Sequence, residues 1–260
     1  MYFPTPKETV ANGIYYLVTC EHGGNRIPLR YRPLFEGYEH LLHSHRGYDS
    51  GALGVAKELA MRLHSPLFAA TTSRLLIDLN RSIGHPRLYS EATRHTPAAI
   101  RDEILKYHYL PYRTQVEASI ADAVRSGLRV IHISSHSFTP ELNGEVRNTD
   151  IGLLYDPSRN LEQELCNRWR ACLGAHAPDL RVRRNYPYTG AVNGFPTYLR
   201  RRFPADAYIG IELEVNQKHI LKGGWRWHAL RSLLADTLNE AVARANPYSS
   251  EGILEHRQEI

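Results

Sequence analysis

Three polar side chains stand at the ends of predicted β-strands, where the side chains of an α/β sheet can meet. His22 follows the apolar strand "GIYYLVTC", His136 comes just past "LRVIHISS", and Glu214 lies near the end of "AYIGIELEV". Ligands of open α/β sheets gather outside the carboxyl ends of parallel strands, so these residues can share one crevice. Two histidines and a carboxylate are a set that catalytic zinc prefers, with one coordination position left for water. The sequence has no local HExxH motif, so such a site is assembled from distant segments.

The elements that must position these residues follow an alternating pattern. Apolar runs of strand length alternate with longer stretches of helical period, which predicts an α/β domain with a layered sheet. The predicted strands are 13–20, 66–73, 128–135, 151–156, 180–185 and 207–215. The predicted helices are 50–64, 99–126, 158–173, 194–202 and 225–245. Asp49 is a candidate N-cap for the first helix, and Pro157 fits the beginning of the third.

Length and composition favour one large domain over residues 1–260. With 42% hydrophobic residues and no internal repeat, the chain has enough apolar material for a single core. No run approaches the roughly 20 apolar residues of a membrane helix, and "MYFPTPKETV" lacks the order of a signal peptide. We therefore expect a soluble, cytoplasmic protein. The cysteines have no metal-site spacing, so we expect reduced thiols at Cys20, Cys166 and Cys172.

The net charge of +5 raises the hypothesis of nucleic-acid binding, because clustered Lys and Arg release counterions from phosphate. The basic residues are scattered along the chain, however. The densest clusters, at 181–185 and 198–204, are accompanied by no recognition motif. We interpret them as a solvated basic face and expect neither a nucleic-acid nor a membrane partner.

Eight short blocks occur in a fixed order between about residue 17 and residue 217. They are "CEHGGNRIP", "YDSGA", "SRLLIDLNR", "YLPYR", "ISSHSFTP", "IGLLYD", "NYPYTG" and "IELEVNQ". Together they resemble the signature blocks of the N-formylglutamate amidohydrolase family. The resemblance implies a three-layer α/β/α fold with a mixed, mostly parallel central sheet, related to the zinc carboxypeptidases and aspartoacylases. It also implies a single metal-dependent site that hydrolyses an amide.

By this resemblance, the metal ligands are His22, Asp49 and His136. The wider carboxypeptidase-like group has a His-x-x-Glu pattern, but "HGGN" places Asn25 at the glutamate position. An amide oxygen is a poor, neutral zinc ligand, so either the second ligand comes from elsewhere or metal binding is weakened. Asp49 is the preferred replacement, and Glu21 is the reserve candidate.

The resemblance also implies substrate-binding and catalytic residues. In "DLNR", Asn80 and Arg81 resemble the pair that holds the free carboxylate of the substrate, and a guanidinium can give two parallel hydrogen bonds to one carboxylate. Glu214 matches the strand glutamate that accepts a proton from the activated water and passes it to the leaving nitrogen. Glu212 projects from the same strand face, so the choice of Glu214 rests on the match with the following "VNQ".

Neighbouring residues have expected supporting roles. Asp78 is expected to orient Arg81, and His132 is interpreted as structural. Tyr188 and the "TGAVNGFPT" segment are expected to form part of the pocket wall. A second carboxylate on the substrate would require a further cation, for which the sequence offers Arg147, Arg183 and Arg184 without choosing among them.

The sequence therefore predicts an amidohydrolase with one zinc ion that acts on N-formyl or other small N-acyl amino acids, such as N-formylglutamate. The alternative is a non-catalytic ligand-binding protein of the same fold with a degenerate metal site, which Asn25 suggests. Neither the identity of the N-acyl amino acid nor the oligomeric state follows from the sequence.

Overall fold

A computed structural model describes residues 10–11, 13–192 and 194–245 of the chain. Almost all of the N-terminal segment "MYFPTPKETV" lies outside these residues. Within them, no helix is both long and apolar enough to cross a membrane. The three cysteines are buried and form no disulfide, as expected.

The strands, in chain order, are β1 (Val10–Ala11), β2 (Ile14–Cys20), β3 (Leu67–Ala69), β4 (Arg129–Phe138), β5 (Glu141–Leu142), β6 (Glu145–Val146), β7 (Ile151–Leu154), β8 (Val182–Arg184) and β9 (Tyr208–Asn216). The central sheet has the order β1-β2-β4-β9-β7-β8, with β3 also beside β2, while β5 and β6 form a separate hairpin.

The direction of each strand determines which strand ends lie at the same edge of the sheet. β2, β3, β4 and β9 run parallel, whereas β7 is antiparallel to β9 and β1 is antiparallel to β2. β8 runs parallel to β7. The carboxyl ends of β2, β4 and β9 therefore lie at one edge, and the predicted mixed, mostly parallel sheet is confirmed.

The α-helices are α1 (Glu39–Leu42), α2 (Ala52–Arg62), α3 (Ala98–Ile104), α4 (Leu110–Arg125), α5 (Asn160–His176), α6 (Phe195–Arg200), α7 (Lys218–Lys222) and α8 (Gly224–Ala243). A 3₁₀-helix spans Leu29–Phe35, and a π-helical turn at Leu105–Tyr109 joins α3 to α4. The predicted helix 99–126 is thus two α-helices with a wider turn between them.

Helices cover both faces of the sheet, because the side chains of each strand alternate between the faces. On β2, Tyr16 and Val18 face a core that includes residues of α2, α5 and α8. Tyr15 and Leu17 face the opposite core, which includes residues of α4 and α6. The expected three-layer α/β/α arrangement is confirmed. The polar residues of the site project from the second face, beyond the part that α4 and α6 cover.

Two helix starts differ from the sequence prediction. The N-cap of α2 is Gly51, at φ 78°, and no side chain caps this helix. Asp49 is therefore not an N-cap, because its carboxylate contacts histidines instead. The helix predicted after Pro157 begins at Asn160, with Arg159 as its N-cap. The proline lies in the turn that precedes the helix.

Candidate active site

Strand register places an acid and a histidine side by side at the carboxyl edge of the sheet. His136 on β4 pairs with Glu214 on β9, and since the strands are parallel, both side chains project from the same face. On the other side of β9, Gly152 of β7 is opposite Glu214. A β-carbon at Gly152 would collide with the carbonyl oxygen of Tyr186 and lie 3.2 Å from Cβ of Glu214. The glycine thus allows close packing beside the acid.

His22, Asp49 and His136 form a buried cluster at this edge. Asp49 Oδ2 lies 2.8 Å from His136 Nδ1 and 3.4 Å from His22 Nδ1. One ligand atom from each side chain lies within 4.8 Å of the others. The backbone N–H of Asp49 donates to the carbonyl oxygen of His22 at 2.9 Å, which holds the loop before α2 against the end of β2.

The remaining ring nitrogen of each histidine contacts another carboxylate. His22 Nε2 lies 2.7 Å from Asp78 Oδ1, and His136 Nε2 lies 3.2 Å from Glu21 Oε2. A metal-binding imidazole typically donates its other N–H to a carboxylate, which fixes the tautomer and the ring orientation. Both rings can therefore donate from Nε2 and present Nδ1 to a metal on the Asp49 side.

Glu21 lies on the far side of His136 from Asp49. It is fully buried, and it accepts hydrogen bonds from Ser134 Oγ at 2.7 Å and from Tyr112 Oη at 3.2 Å. These contacts suit Glu21 to orient His136. The carboxylate that contacts both histidines, and can share a metal with them, is that of Asp49.

Asn25 lies away from the cluster. Its amide is 3.4 Å from His43 Nδ1 at an exposed position. Since Asp49 brings a carboxylate to the histidines from another loop, the asparagine at the His-x-x-Glu position gives no argument for a degenerate metal site.

The cluster concentrates buried negative charge. Arg74 lies 3.3 Å from Asp49 Oδ1 and 2.9 Å from Asp78 Oδ2. Burial opposes ionisation of Asp49 and Asp78, but the neighbouring histidines and Arg74 outweigh it and lower the pKa of both carboxyls. Burial likewise opposes ionisation of Glu21, and hydrogen bonding and charge from His136 lower its pKa. Three ionised carboxylates around two imidazoles favour bound positive charge.

These residues fit a divalent cation. Two imidazole nitrogens and one carboxylate oxygen are a donor set of catalytic zinc sites. Without a metal, burial disfavours the imidazolium of His136, but Asp49 and Glu21 raise its pKa well above the ordinary value. A metal ion would therefore replace a proton that the surrounding carboxylates attract.

A cleft of about 840 Å³ opens over the cluster. Its lining includes every residue that the sequence predicted for the site, namely His22, Asp49, Asn80, Arg81, His136 and Glu214. Tyr188 and parts of the segment after it also line the cleft, as expected. The cations at the cleft are Arg46, Arg74, Arg81, Arg87 and Arg94, whereas Arg147, Arg183 and Arg184 are not among its lining residues.

Two glutamates of β9 face this cleft. Glu212 and Glu214 are 8% and 6% exposed, and Glu212 Oε1 and Glu214 Oε2 have no hydrogen-bond partner among the described residues. Burial raises the pKa of both carboxyls, that of Glu214 to about 8. Burying a carboxylate without a partner costs free energy. Both groups are therefore available to a ligand in the cleft.

Asn80 and Arg81 reach the cleft from the loop after β3. Asn80 Oδ1 accepts a hydrogen bond from the N–H of Phe195 at 2.5 Å, and its Nδ2 lies 3.5 Å from His136 Nε2. Arg81 Nε lies 3.9 Å from Asp78 Oδ2, and the arginine side chain is 18% exposed. Asp78 thus contacts Arg81 as expected, but its shorter contact is with His22.

His132 lies away from the cleft, as the structural interpretation requires. Its Nε2 is 2.8 Å from Thr19 Oγ1 and its Nδ1 is 2.7 Å from Tyr208 Oη. Burial lowers its pKa to about 4, so the ring is neutral at physiological pH.

Sequence reasoning missed Arg74 and the contacts of Asp78 and Glu21 with the histidines. A signal existed for each. Arg74 and Asp78 are an i,i+4 pair of opposite charge around the apolar "LLI". Glu21 follows directly on a largely apolar strand, where a carboxylate has to find a partner.

Comparisons with known proteins identify the family and the fold of the chain. The sequence profile of the N-formylglutamate amidohydrolase family matches residues 14–221. A gene product of Agrobacterium tumefaciens of known structure is 28% identical, with a TM-score of 0.75 over 88% of this chain and 91% of that chain. The N-formylglutamate amidohydrolase of Ralstonia eutropha JMP134 is 17% identical, with a TM-score of 0.64 over 90% of this chain and 96% of that chain, and shares the fold.

The comparison with curated proteins found no significant match. The family profile nevertheless spans well over half of the chain, from before the first histidine of the cluster to beyond Glu214. The chain therefore belongs to the N-formylglutamate amidohydrolase family.

Proposed function

We propose that the protein is a zinc-dependent amidohydrolase that cleaves N-formyl or other small N-acyl amino acids, such as N-formylglutamate. The products are formate, or another carboxylate, and an amino acid. The observation that carries the proposal is the convergence of His22, Asp49 and His136 with Glu214 in one cleft. Membership of the family supports the reaction class.

Three side chains would hold the metal. These are His22 and His136 through Nδ1, and Asp49 through its carboxylate. A bound zinc ion supplies a Lewis acid that polarises the amide carbonyl and lowers the pKa of water. Asp78 orients the imidazole of His22 by accepting a hydrogen bond from its Nε2. Nε2 of His136 lies 2.9 Å from the hydroxyl of Ser134, which donates to Glu21, and 3.2 Å from Glu21 itself, so this pair orients the second imidazole.

Glu214 is the proposed proton carrier. Its carboxylate takes a proton from the attacking water, and the resulting carboxylic acid gives it to the amide nitrogen as the C–N bond breaks. The unpartnered Oε2 is suited to this exchange. Burial, with smaller contributions from the charges of Asp49 and Glu212, raises the pKa of Glu214 to about 8, and a bound dication nearby would favour the carboxylate and lower this pKa. General acid–base catalysis is most efficient when the pKa is near the operating pH.

Arg81 and Asn80 are the proposed binding groups for the α-carboxylate. The guanidinium can give two parallel hydrogen bonds to one carboxylate, and the amide of Asn80 lies beside His136. Arg81 is largely buried at the cleft wall, where burial strengthens its attraction for an anion.

Hydrolysis of a panel of N-formyl-L-amino acids, with their methyl esters as matched controls, tests this function. Metal content is measured on the same sample. The free acids are expected to be cleaved and the esters to be poor substrates, and a chelator should abolish the activity until zinc is restored. Equal turnover of acids and esters would remove Arg81 from its proposed role, and full activity without metal would refute the metal-dependent reaction.

A further inference from the structure

Glu212 is a buried carboxylate at the cleft that the proposed mechanism does not use. It is 8% exposed, and no hydrogen bond or ion pair of its side chain is found among the described residues. In the sheet it pairs with Ser134, one side-chain step deeper than the pair of Glu214 and His136. Because a buried carboxyl without a partner destabilises the fold, its position points to a ligand that supplies a hydrogen bond.

The chain leaves space for this carboxylate at Gly194. A β-carbon there would collide with Glu212 Oε1 and lie 3.5 Å from Asn80 Oδ1. Gly194 has φ −92° and ψ 173°, an extended conformation that any residue adopts. The backbone conformation therefore does not require glycine at this position. Glycine is required because a side chain there would collide with the carboxylate of Glu212.

The surroundings of Glu212 indicate which part of a substrate it meets. The β-carbon position at Gly194 is close to both Glu212 Oε1 and Asn80 Oδ1, which places the carboxyl near Asn80, one of the two residues proposed to bind the α-carboxylate. Glu214 projects from the same strand face two residues further on, about 7 Å away along the strand. In an N-acyl amino acid, the amide N–H lies between the α-carboxylate and the carbonyl carbon that water attacks. An acceptor near Asn80 and one side-chain step from Glu214 thus matches the N–H.

We propose that Glu212 accepts a hydrogen bond from the N–H of the scissile amide, and that the enzyme therefore selects secondary amides over N-alkylated ones. This inference rests on the proposed hydrolysis of N-acyl amino acids. The same carboxylate suits the amine that forms when the C–N bond breaks, because an amine or ammonium at that nitrogen keeps its hydrogen-bond donors.

The test compares the best substrate of the N-formyl-L-amino acid panel with its N-methyl derivative, which lacks the N–H. Hydrogen bonds to charged groups contribute about 1.5–3 kcal/mol, so the wild-type kcat/KM should favour the N–H substrate by about ten- to a hundredfold. Glu212→Met keeps the length of the side chain and has no strong acceptor, so it should bring the two substrates to within a few-fold of each other. Comparing the two ratios removes the steric effect of the methyl group, which both proteins experience.

A second variant perturbs the same contact without changing Glu212. Gly194→Ala leaves the carboxylate in the chain but displaces it, so it should reduce the preference in the same direction. Gly174→Ala is the matched control, because a β-carbon at Gly174 meets no atom within 4 Å. Glu212→Gln retains an acceptor oxygen and should keep part of the preference.

The outcomes separate the two proposals. If wild-type protein cleaves neither amide, the proposed function fails and this inference fails with it. If it cleaves both equally well, or if Glu212→Met and Gly194→Ala retain the full preference, only the role of Glu212 is refuted. A loss of turnover on both amides in Glu212→Met, with metal retained, would instead identify Glu212 as the proton carrier. Thermal unfolding checks the variants, and Glu212→Met should unfold no earlier than the wild type.

Discussion

Replacing Asp78 by asparagine is expected to weaken metal binding without removing a metal ligand. Asp78 Oδ1 lies 2.7 Å from His22 Nε2 and accepts the N–H of Asn80 at 3.0 Å, while Oδ2 lies 2.9 Å from Arg74. An asparagine offers one oxygen and one NH₂ group. If the oxygen keeps the contact with His22, the NH₂ group faces the guanidinium of Arg74. Both of these groups are hydrogen-bond donors, so they repel each other.

The magnitude follows from these contacts. Removing the carboxylate that orients a metal-binding histidine typically costs ten- to a hundredfold in metal affinity. The bond to His22 is short and buried, and the same carboxylate neutralises Arg74. The loss should therefore lie in the upper part of that range, close to a hundredfold, or about 2.7 kcal/mol.

Competition with a chromophoric zinc chelator measures this change in Kd. Asp150→Asn is the matched control, because Asp150 Oδ1 lies 2.6 Å from His219 Nε2 and neither residue is among those lining the cleft. The control should bind zinc as the wild type does. An unchanged Kd in Asp78→Asn, or an equal loss in Asp150→Asn, would refute the proposed orientation of His22 as a metal ligand.

Three further predictions concern the cleft. Glu214→Gln should retain zinc while kcat falls by at least about a hundredfold with little change in KM, and activity assays would contradict this if Glu212→Gln were inactive and Glu214→Gln were not. Arg81→Lys should lower kcat/KM for N-formyl amino acids by about tenfold or more, since an ammonium cannot form the two-bond fork; an unchanged value would exclude Arg81 from carboxylate binding. Burial raises the pKa of Glu214 from near 4.5 to about 8, so the folded, metal-free protein retains a proton there that the unfolded chain loses. Wild-type protein should therefore lose stability relative to Glu214→Gln as pH rises from about 4.5 to about 8, and parallel melting profiles in chelator would contradict that shift.

The parts of the site that follow from local pattern could be predicted from the sequence. Strand periodicity is a local property, and it located the ends of β2, β4 and β9 closely enough to bring His22, His136 and Glu214 to one edge. The choice of a parallel sheet then determined that these ends meet. The same pattern overestimated the length of β3. The predicted strand covers 66–73, whereas the observed strand is Leu67–Ala69.

The contacts made by loops could not be predicted in this way. Asp49 and Asp78 lie in segments without periodicity, so their side-chain directions depend on packing between distant parts of the chain. An acidic residue before a helix favours an N-cap on local grounds, and only the folded chain shows that Asp49 contacts two histidines instead. The partners of Glu21 and Asp78 are tertiary for the same reason.

Stepwise reconstitution of metal-free protein tests the central claim most directly. Zinc is added to chelator-treated wild type and to His136→Ala while hydrolysis of an N-formyl amino acid is followed. The proposed ligand set of His22, Asp49 and His136 predicts that wild-type activity rises linearly and reaches a plateau at about one zinc per chain, whereas His136→Ala stays inactive. Full activity of the metal-free wild type, or the same break point in His136→Ala, would contradict a metal-dependent amidohydrolase built on these three residues.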